Sequence, residues 1–170
     1  TPDYIFYPHA PERARRTIPH AKLIVLLRNP VDRAISHHRH MVRLGFETLP
    51  FEEAIAAEAE RIAADVAALR RDPLHQPRAL LRFSYISRGL YAEQLERWMQ
   101  AFPRERFLIV KSEDFFADPA SVFDQVIAFL GLRPWRPRSF ANVTHRRRPP
   151  GPQVPAIPLD VRVRLGELFA

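Results

Sequence analysis

The stretch that most limits what this chain can fold into reads Lys-Leu-Ile-Val-Leu-Leu-Arg-Asn-Pro and ends at Pro30. Residues 22–27 are rich in Ile, Leu and Val, too few for a helix, and suit a strand buried on both faces. Arg28 ends the run. Asn29 then offers a side-chain oxygen to the unpaired N–H groups of a following helix, and Pro30, which has no N–H to satisfy, fits that helix's first position. Asp32 adds a negative charge near the helix's positive end. The spacing predicts a helix from Pro30 to about Leu44, closed by Gly45. A strand that turns directly into a capped helix is half of a βα unit, from which parallel sheets are built.

The rest of the chain alternates in the same way. A short helix is expected within 9–21, with Pro11 at its first position and Pro19 beyond its end. A long helix over 51–71 carries Phe51, Ile55, Ile62, Val66 and Leu69 on one stripe, and 72–77 breaks it. Another helix follows Ser87, with Tyr91, Leu95, Trp98 and Phe102 on one face. Residues 107–110 form a second buried strand, and Glu113 fixes the turn after it. Asp118 caps a helix that starts at Pro119 and ends at Gly131. A basic, proline-rich loop spans about 133–158, and a last helix starts near Asp160. The expected fold is therefore α/β, a parallel sheet flanked by helices, with residues 1–170 in a single domain. Two strands are fewer than a complete doubly wound sheet needs.

The net charge of +7 bears on partners. All but two of the 26 basic residues are arginines, the exceptions being Lys22 and Lys111. Two readings stand: a compositional bias towards Arg, Ala and Pro, or an anionic partner such as phosphate, sulfate or an acidic glycan. The arginines are scattered, with no basic helix or aromatic ladder, so no nucleic-acid partner is expected. The absence of cysteine excludes a disulfide framework and a thiolate metal site. No apolar run reaches membrane-spanning length, and the first residues lack the pattern of a signal peptide. A cytoplasmic location is the default expectation; the oligomeric state is not legible.

Arg28 falls at the carboxyl end of its strand, where open parallel sheets bind ligands. Ser36 lies seven residues beyond the Asn29 cap and projects from the second helical turn, and His40 follows four residues later on the same face. A guanidinium, a helix start and a hydroxyl in this order suit a phosphate group. A surface arginine beside a solvated helix face fits the same spacing. His37 and His40 stand one turn apart, but no carboxylate pair accompanies them at ligand spacing, so no metal is expected.

Leu-Leu-Arg-Asn-Pro-Val-Asp-Arg-Ala-Ile-Ser at 26–36 resembles the 3′-phosphate-binding signature of sulfotransferases that use 3′-phosphoadenosine 5′-phosphosulfate (PAPS). In that family a strand ends in Arg-[Asn/Asp]-Pro, and a serine follows the arginine by eight residues. Thr-Pro-Asp-Tyr-Ile-Phe at 1–6 looks like part of the Glu-Lys-[Thr/Ser]-Pro-x-Tyr motif of the glycan-sulfating branch. Ser-Arg-Gly-Leu-Tyr-Ala-Glu-Gln-Leu-Glu-Arg-Trp at 87–98 is similar to a helix of heparan-sulfate and bacterial sulfotransferases. The stretch 106–132 resembles the family's later strand, Glu-Asp turn and Asp-Pro capped helix. The resemblance covers nearly the whole chain in the family's order.

It implies a P-loop-NTPase-like sheet from which the family's first βα unit, with its P-loop and Glu-Lys, is missing in residues 1–170. It implies that Arg28 and Ser36 hold the 3′-phosphate of PAPS and that His40 lies near the transferring sulfuryl group. It places Tyr85 near the nucleotide or acceptor cleft, and Arg146 and Arg147 in a basic phosphate-binding loop. The reaction implied is sulfuryl transfer from PAPS to a hydroxyl or amine of a glycan, lipid or small molecule, with no metal. The alternative is a non-catalytic remnant that binds a nucleotide or another anion.

Overall fold

The computed structural model describes residues 3–140 and 156–169. The chain opens with two short helices, α1 (Asp3–Phe6) and α2 (Ala10–Thr17), and enters strand β1 (Leu23–Leu27). Helix α3 (Pro30–Arg43) follows, then α4 (Phe51–Ala56), α5 (Glu58–Arg71), α6 (Arg78–Phe83) and α7 (Tyr91–Ala101). Strand β2 (Phe107–Lys111) leads through α8 (Ser112–Ala117) into α9 (Pro119–Leu130), and α10 (Leu159–Leu168) comes last. The fold is α/β: mostly helix around a small parallel sheet.

β1 and β2 pair in parallel, Leu23 opposite Phe107 through Leu27 opposite Lys111. Both strands therefore deliver their carboxyl ends to the same edge of the sheet. Leu23 and Val25 pack with Trp98, Phe102 and Phe107 in a core built by α2 and α7. The expectation that β1 is buried on both faces does not hold. Side chains alternate across a strand, and on the other face Ile24 and Leu26 are 44% and 53% exposed. The helices next in line, α8 and α9, pack on β2.

A second core joins α3, α4 and α10 through Ala34, Ile35, Phe51, Val161 and Leu165, with Tyr85 at its centre. Packing of α10 on α3 sets a wall beside the carboxyl edge of the sheet. The helix expected over 51–71 is two helices, divided at Ala57. The division coincides with a demand on the next residue. Glu58 is buried, and its carboxylate accepts from Ile86 N at 2.6 Å, Ser87 N at 2.9 Å and Ser87 Oγ at 2.7 Å. Those bonds satisfy a turn that a straight stripe would leave uncovered. Among the described residues, no helix is long and apolar enough to cross a membrane.

Candidate functional site

The β1–α3 turn has the local structure its residues dictate. Asn29 is the N-cap, and its Oδ1 accepts from Val31 N at 3.0 Å and Asp32 N at 3.2 Å. Pro30 opens the helix. At the far end Gly45 takes φ +74°, a left-handed conformation that suits glycine after a helix. Gly89 supports the turn from below. A Cβ there would stand 3.2 Å from Pro30 Cβ and 2.6 Å from the Phe169 ring, so a larger residue would press on the start of α3.

A cleft of about 700 Å³ runs along α3 from this turn, with Ala156, Ile157 and Arg162 on its opposite side. Arg28, Ser36 and His40 all line it. All three are exposed. The structure thus brings these three expected site residues to one surface. It also adds Arg33, Arg39, Arg43 and Arg162, which the strand-and-serine pattern does not reveal. The acid in the lining, Asp32, is tied to Arg162 at 2.6 Å. The cleft is therefore strongly cationic.

Burial and neighbours together act on three side chains in it. Arg43 Nη2 lies 2.6 Å from His40 Nδ1. A guanidinium can only donate, so Nδ1 accepts and the imidazole proton sits on Nε2. Arg33 donates to the backbone oxygen of Tyr85, and burial lowers its pKa to about 10. His37 is held at about 4 by burial first and then by the Arg33 and Arg88 guanidiniums, so it is neutral at physiological pH. No group of three His, Cys, Asp or Glu side chains that could hold a metal forms among the described residues.

Tyr85 is not on the cleft surface. It is wholly buried, its hydroxyl donates to Glu47 Oε2 at 2.7 Å, and its ring meets His37 edge-on at 5.1 Å. Burial alone would raise the Glu47 carboxyl. Donors from Arg61, Tyr85 and Leu49 together draw it below its ordinary value. Tyr85 therefore backs α3 from the core and meets the cleft lining through His37 and, by its backbone oxygen, through Arg33. Arg146 and Arg147 lie outside the described residues.

A parallel βα turn with a capped helix start, a strand-end arginine and a cationic cleft is an arrangement suited to an anion. Comparison with known proteins is more specific. Residues 5–146 match the family model of the sulfotransferase domain. The chain belongs to the sulfotransferase family. It is 35% identical over 133 residues to heparan sulfate glucosamine 3-O-sulfotransferase 6 of Homo sapiens, covering 78% of this chain and 34% of that protein. It is 35% identical over 138 residues to the bifunctional heparan sulfate N-deacetylase/N-sulfotransferase 3 of Homo sapiens, covering 78% of this chain and 14% of that one. The solved structure of a sulfotransferase from Alicyclobacillus acidocaldarius superimposes with a TM-score of 0.64 at 38% identity, covering 77% of this chain and 48% of its own. The chain thus spans about a third or less of these curated relatives, and about half of the solved one.

Proposed function

We propose that the cleft holds the 3′-phosphate of PAPS, and that the protein containing this chain moves the sulfuryl group of PAPS to a hydroxyl or amine of an acceptor. The observation that supports this most directly is the shared cleft of Arg28, Ser36 and the capped start of α3. Arg28 offers a planar fork to a phosphate dianion, Ser36 a hydroxyl donor, and the helix start positive potential. In the transfer, the bond from sulfur to the bridging oxygen of the 5′-phosphate breaks as an acceptor oxygen or nitrogen bonds to sulfur. The electron pair leaves on the bridging oxygen, and the acceptor's proton passes to a base. His40, with its proton on Nε2, suits donation to the sulfuryl group or the leaving oxygen. A glycan is the first acceptor class to test, because the curated relatives are heparan sulfate enzymes.

One observation favours a second reading. Asp32, the carboxylate in the cleft, is already paired with Arg162 and is poorly placed to take the acceptor's proton. A module that binds the nucleotide without turning it over would need no base. Titration of the full-length protein with adenosine 3′,5′-bisphosphate and adenosine 5′-monophosphate, followed by an assay of sulfuryl transfer from PAPS to desulfated heparan sulfate, separates these readings. Tighter binding of the bisphosphate together with transfer supports the enzyme, and His40→Ala should then lower kcat more than it raises KM for PAPS. Preference for the bisphosphate without transfer to any acceptor selects the binding module. Equal binding of the two nucleotides sinks the phosphate assignment.

A further inference from the structure

No hydrogen bond or ion pair holds the Arg28 guanidinium among the described residues; Glu113 and Tyr91 act on it through charge alone. Its direction therefore depends on the backbone that carries it, and side chains hold that backbone. The peptide unit joining Arg28 to Asn29 is bound on both sides by side chains. Its carbonyl oxygen accepts from the Tyr91 hydroxyl at 3.1 Å, and its N–H donates to Glu113 Oε1 at 2.9 Å. The two partners come from different elements: Tyr91 opens α7, and Glu113 stands in the first turn of α8. Rotation of this peptide about its flanking bonds would break both bonds at once.

Each partner is in the state its role needs. Burial raises the Tyr91 phenol, which stays a donor. The Asn29 N–H, followed by Glu113's own N–H, holds the Glu113 carboxyl below its ordinary value, so it stays an ionised acceptor. We infer that Tyr91 and Glu113 form a peptide clamp that aims Arg28 and sets the start of α3, which makes them positioning residues of the phosphate site. This rests on the reading of Arg28 and Ser36 as the 3′-phosphate anchor. Neither residue touches the phosphate. Their contribution is to remove the alternative directions Arg28 would otherwise sample before binding.

The test is calorimetric titration of the full-length protein with adenosine 3′,5′-bisphosphate and, in parallel, adenosine 5′-monophosphate. The variants are Arg28→Ala, Tyr91→Phe, Glu113→Ala and Glu113→Gln, each with its thermal midpoint. Tyr91→Phe and Glu113→Ala should each weaken bisphosphate binding about three- to tenfold, the usual range for one hydrogen bond, and leave the monophosphate unchanged. Glu113→Gln keeps an oxygen acceptor facing Asn29 N–H and should restore most of the affinity lost in Glu113→Ala. A general loss of structure would weaken both nucleotides alike, so that pattern overturns the clamp. So does full bisphosphate affinity in both Tyr91→Phe and Glu113→Ala while Arg28→Ala loses it, an outcome that leaves the phosphate site standing. If Arg28→Ala itself binds the bisphosphate as wild type does, the phosphate assignment falls, and the clamp falls with it.

Discussion

β1 and β2 end side by side, Leu27 opposite Lys111, yet the chain leaves them in different ways. The first turn puts a guanidinium at the strand end and an asparagine cap with two backbone bonds before a fourteen-residue helix. The second ends on Lys111, has no side-chain cap, and enters a helix of six residues. α3 has Asp32 in its first turn and α8 has Glu113 and Asp114, and Asp32 and Glu113 go to opposite uses. Asp32 at α3 is drawn aside by Arg162. Glu113 at α8 stays at its own helix start, where it accepts its own N–H, and also reaches across to Asn29. An anion thus already occupies the second helix start, whereas the first faces a cationic cleft. The same βα geometry carries the proposed ligand site in one place and, on our inference, a brace for it in the other.

The largest effect expected from this difference concerns the two strand-end cations. Arg28→Ala should lower affinity for adenosine 3′,5′-bisphosphate by on the order of 2 kcal/mol, the scale of a charge-assisted hydrogen bond. Lys111→Ala, at the braced turn, should change it less than about twofold. Titration of both variants reads the contrast directly. A loss at Lys111 equal to that at Arg28 would mean that the two turns share one anion and that the assignment of roles is wrong.

Next in size is an acid sensitivity on the ligand side. His37 follows Ser36 in α3, and its pKa is about 4 against an ordinary value of 6.5. A base depressed in the folded state is no burden above pH 6.5. Below it the unfolded chain takes up the proton first, so stability falls between about pH 6.5 and pH 4. His37→Gln should flatten that part of the stability curve by on the order of 2 kcal/mol, measured by urea unfolding as a function of pH. Parallel curves for wild type and variant would show that the imidazole is not held neutral where it stands.

A smaller pair of effects tests the caps. Asn29 caps α3, and Asp118 caps α9 through a bond from Ser121 N at 3.0 Å. Replacing either by Ala should cost about 1 kcal/mol of stability. Only Asn29→Ala should also weaken bisphosphate binding, because only that cap shapes the cleft. Equal binding by both variants would separate the helix start of α3 from the ligand.

These contrasts follow a line between local and distant chemistry, which is also the limit of what was legible in the sequence. The Asn29–Pro30 start, Gly45, the Asp118 cap and Gly131 are legible because each residue acts on its own backbone or on backbone within a few residues. Arg28 and Ser36 are legible as a pair because a strand and a helix fix their interval. Arg162 reaches Asp32 from 130 residues away, and no periodicity announces it. Tyr85 is expected near the cleft only through the family resemblance, and nothing local announces its bond to Glu47, 38 residues back, in the core. The division at Ala57 and the short helix α6 are invisible for the same reason. Glu58 bonds to residues 86 and 87, and Asp65 accepts from Leu80 N at 3.0 Å, so distant contacts override a clean helical stripe. The bare face of β1 belongs here too, since Ile and Leu in a strand show apolar character but not what covers it.

The smallest effect expected tests the brace through its charge. The Asn29 N–H, more than any other neighbour, holds the Glu113 carboxyl below its ordinary value of 4.5. An acid depressed in the folded state contributes stability in full above the unfolded pKa. That contribution is lost as pH falls below 4.5 and through the folded value. The difference in stability between wild type and Glu113→Gln should therefore be level above about pH 5 and shrink steadily below 4.5. The carboxylate is exposed at the surface, so salt should reduce the difference further. Urea midpoints for the two proteins, taken from pH 7 down to the acid limit of folding, measure it. A protonated Glu113, like Gln, keeps an oxygen acceptor at Asn29 N–H, so the charge contributes to stability while the peptide hold outlasts its loss. A stability difference that stays level through pH 4.5 would mean that the Glu113 charge is not engaged by Asn29 N–H. The two turns would then be neighbours in the sheet without one serving the other.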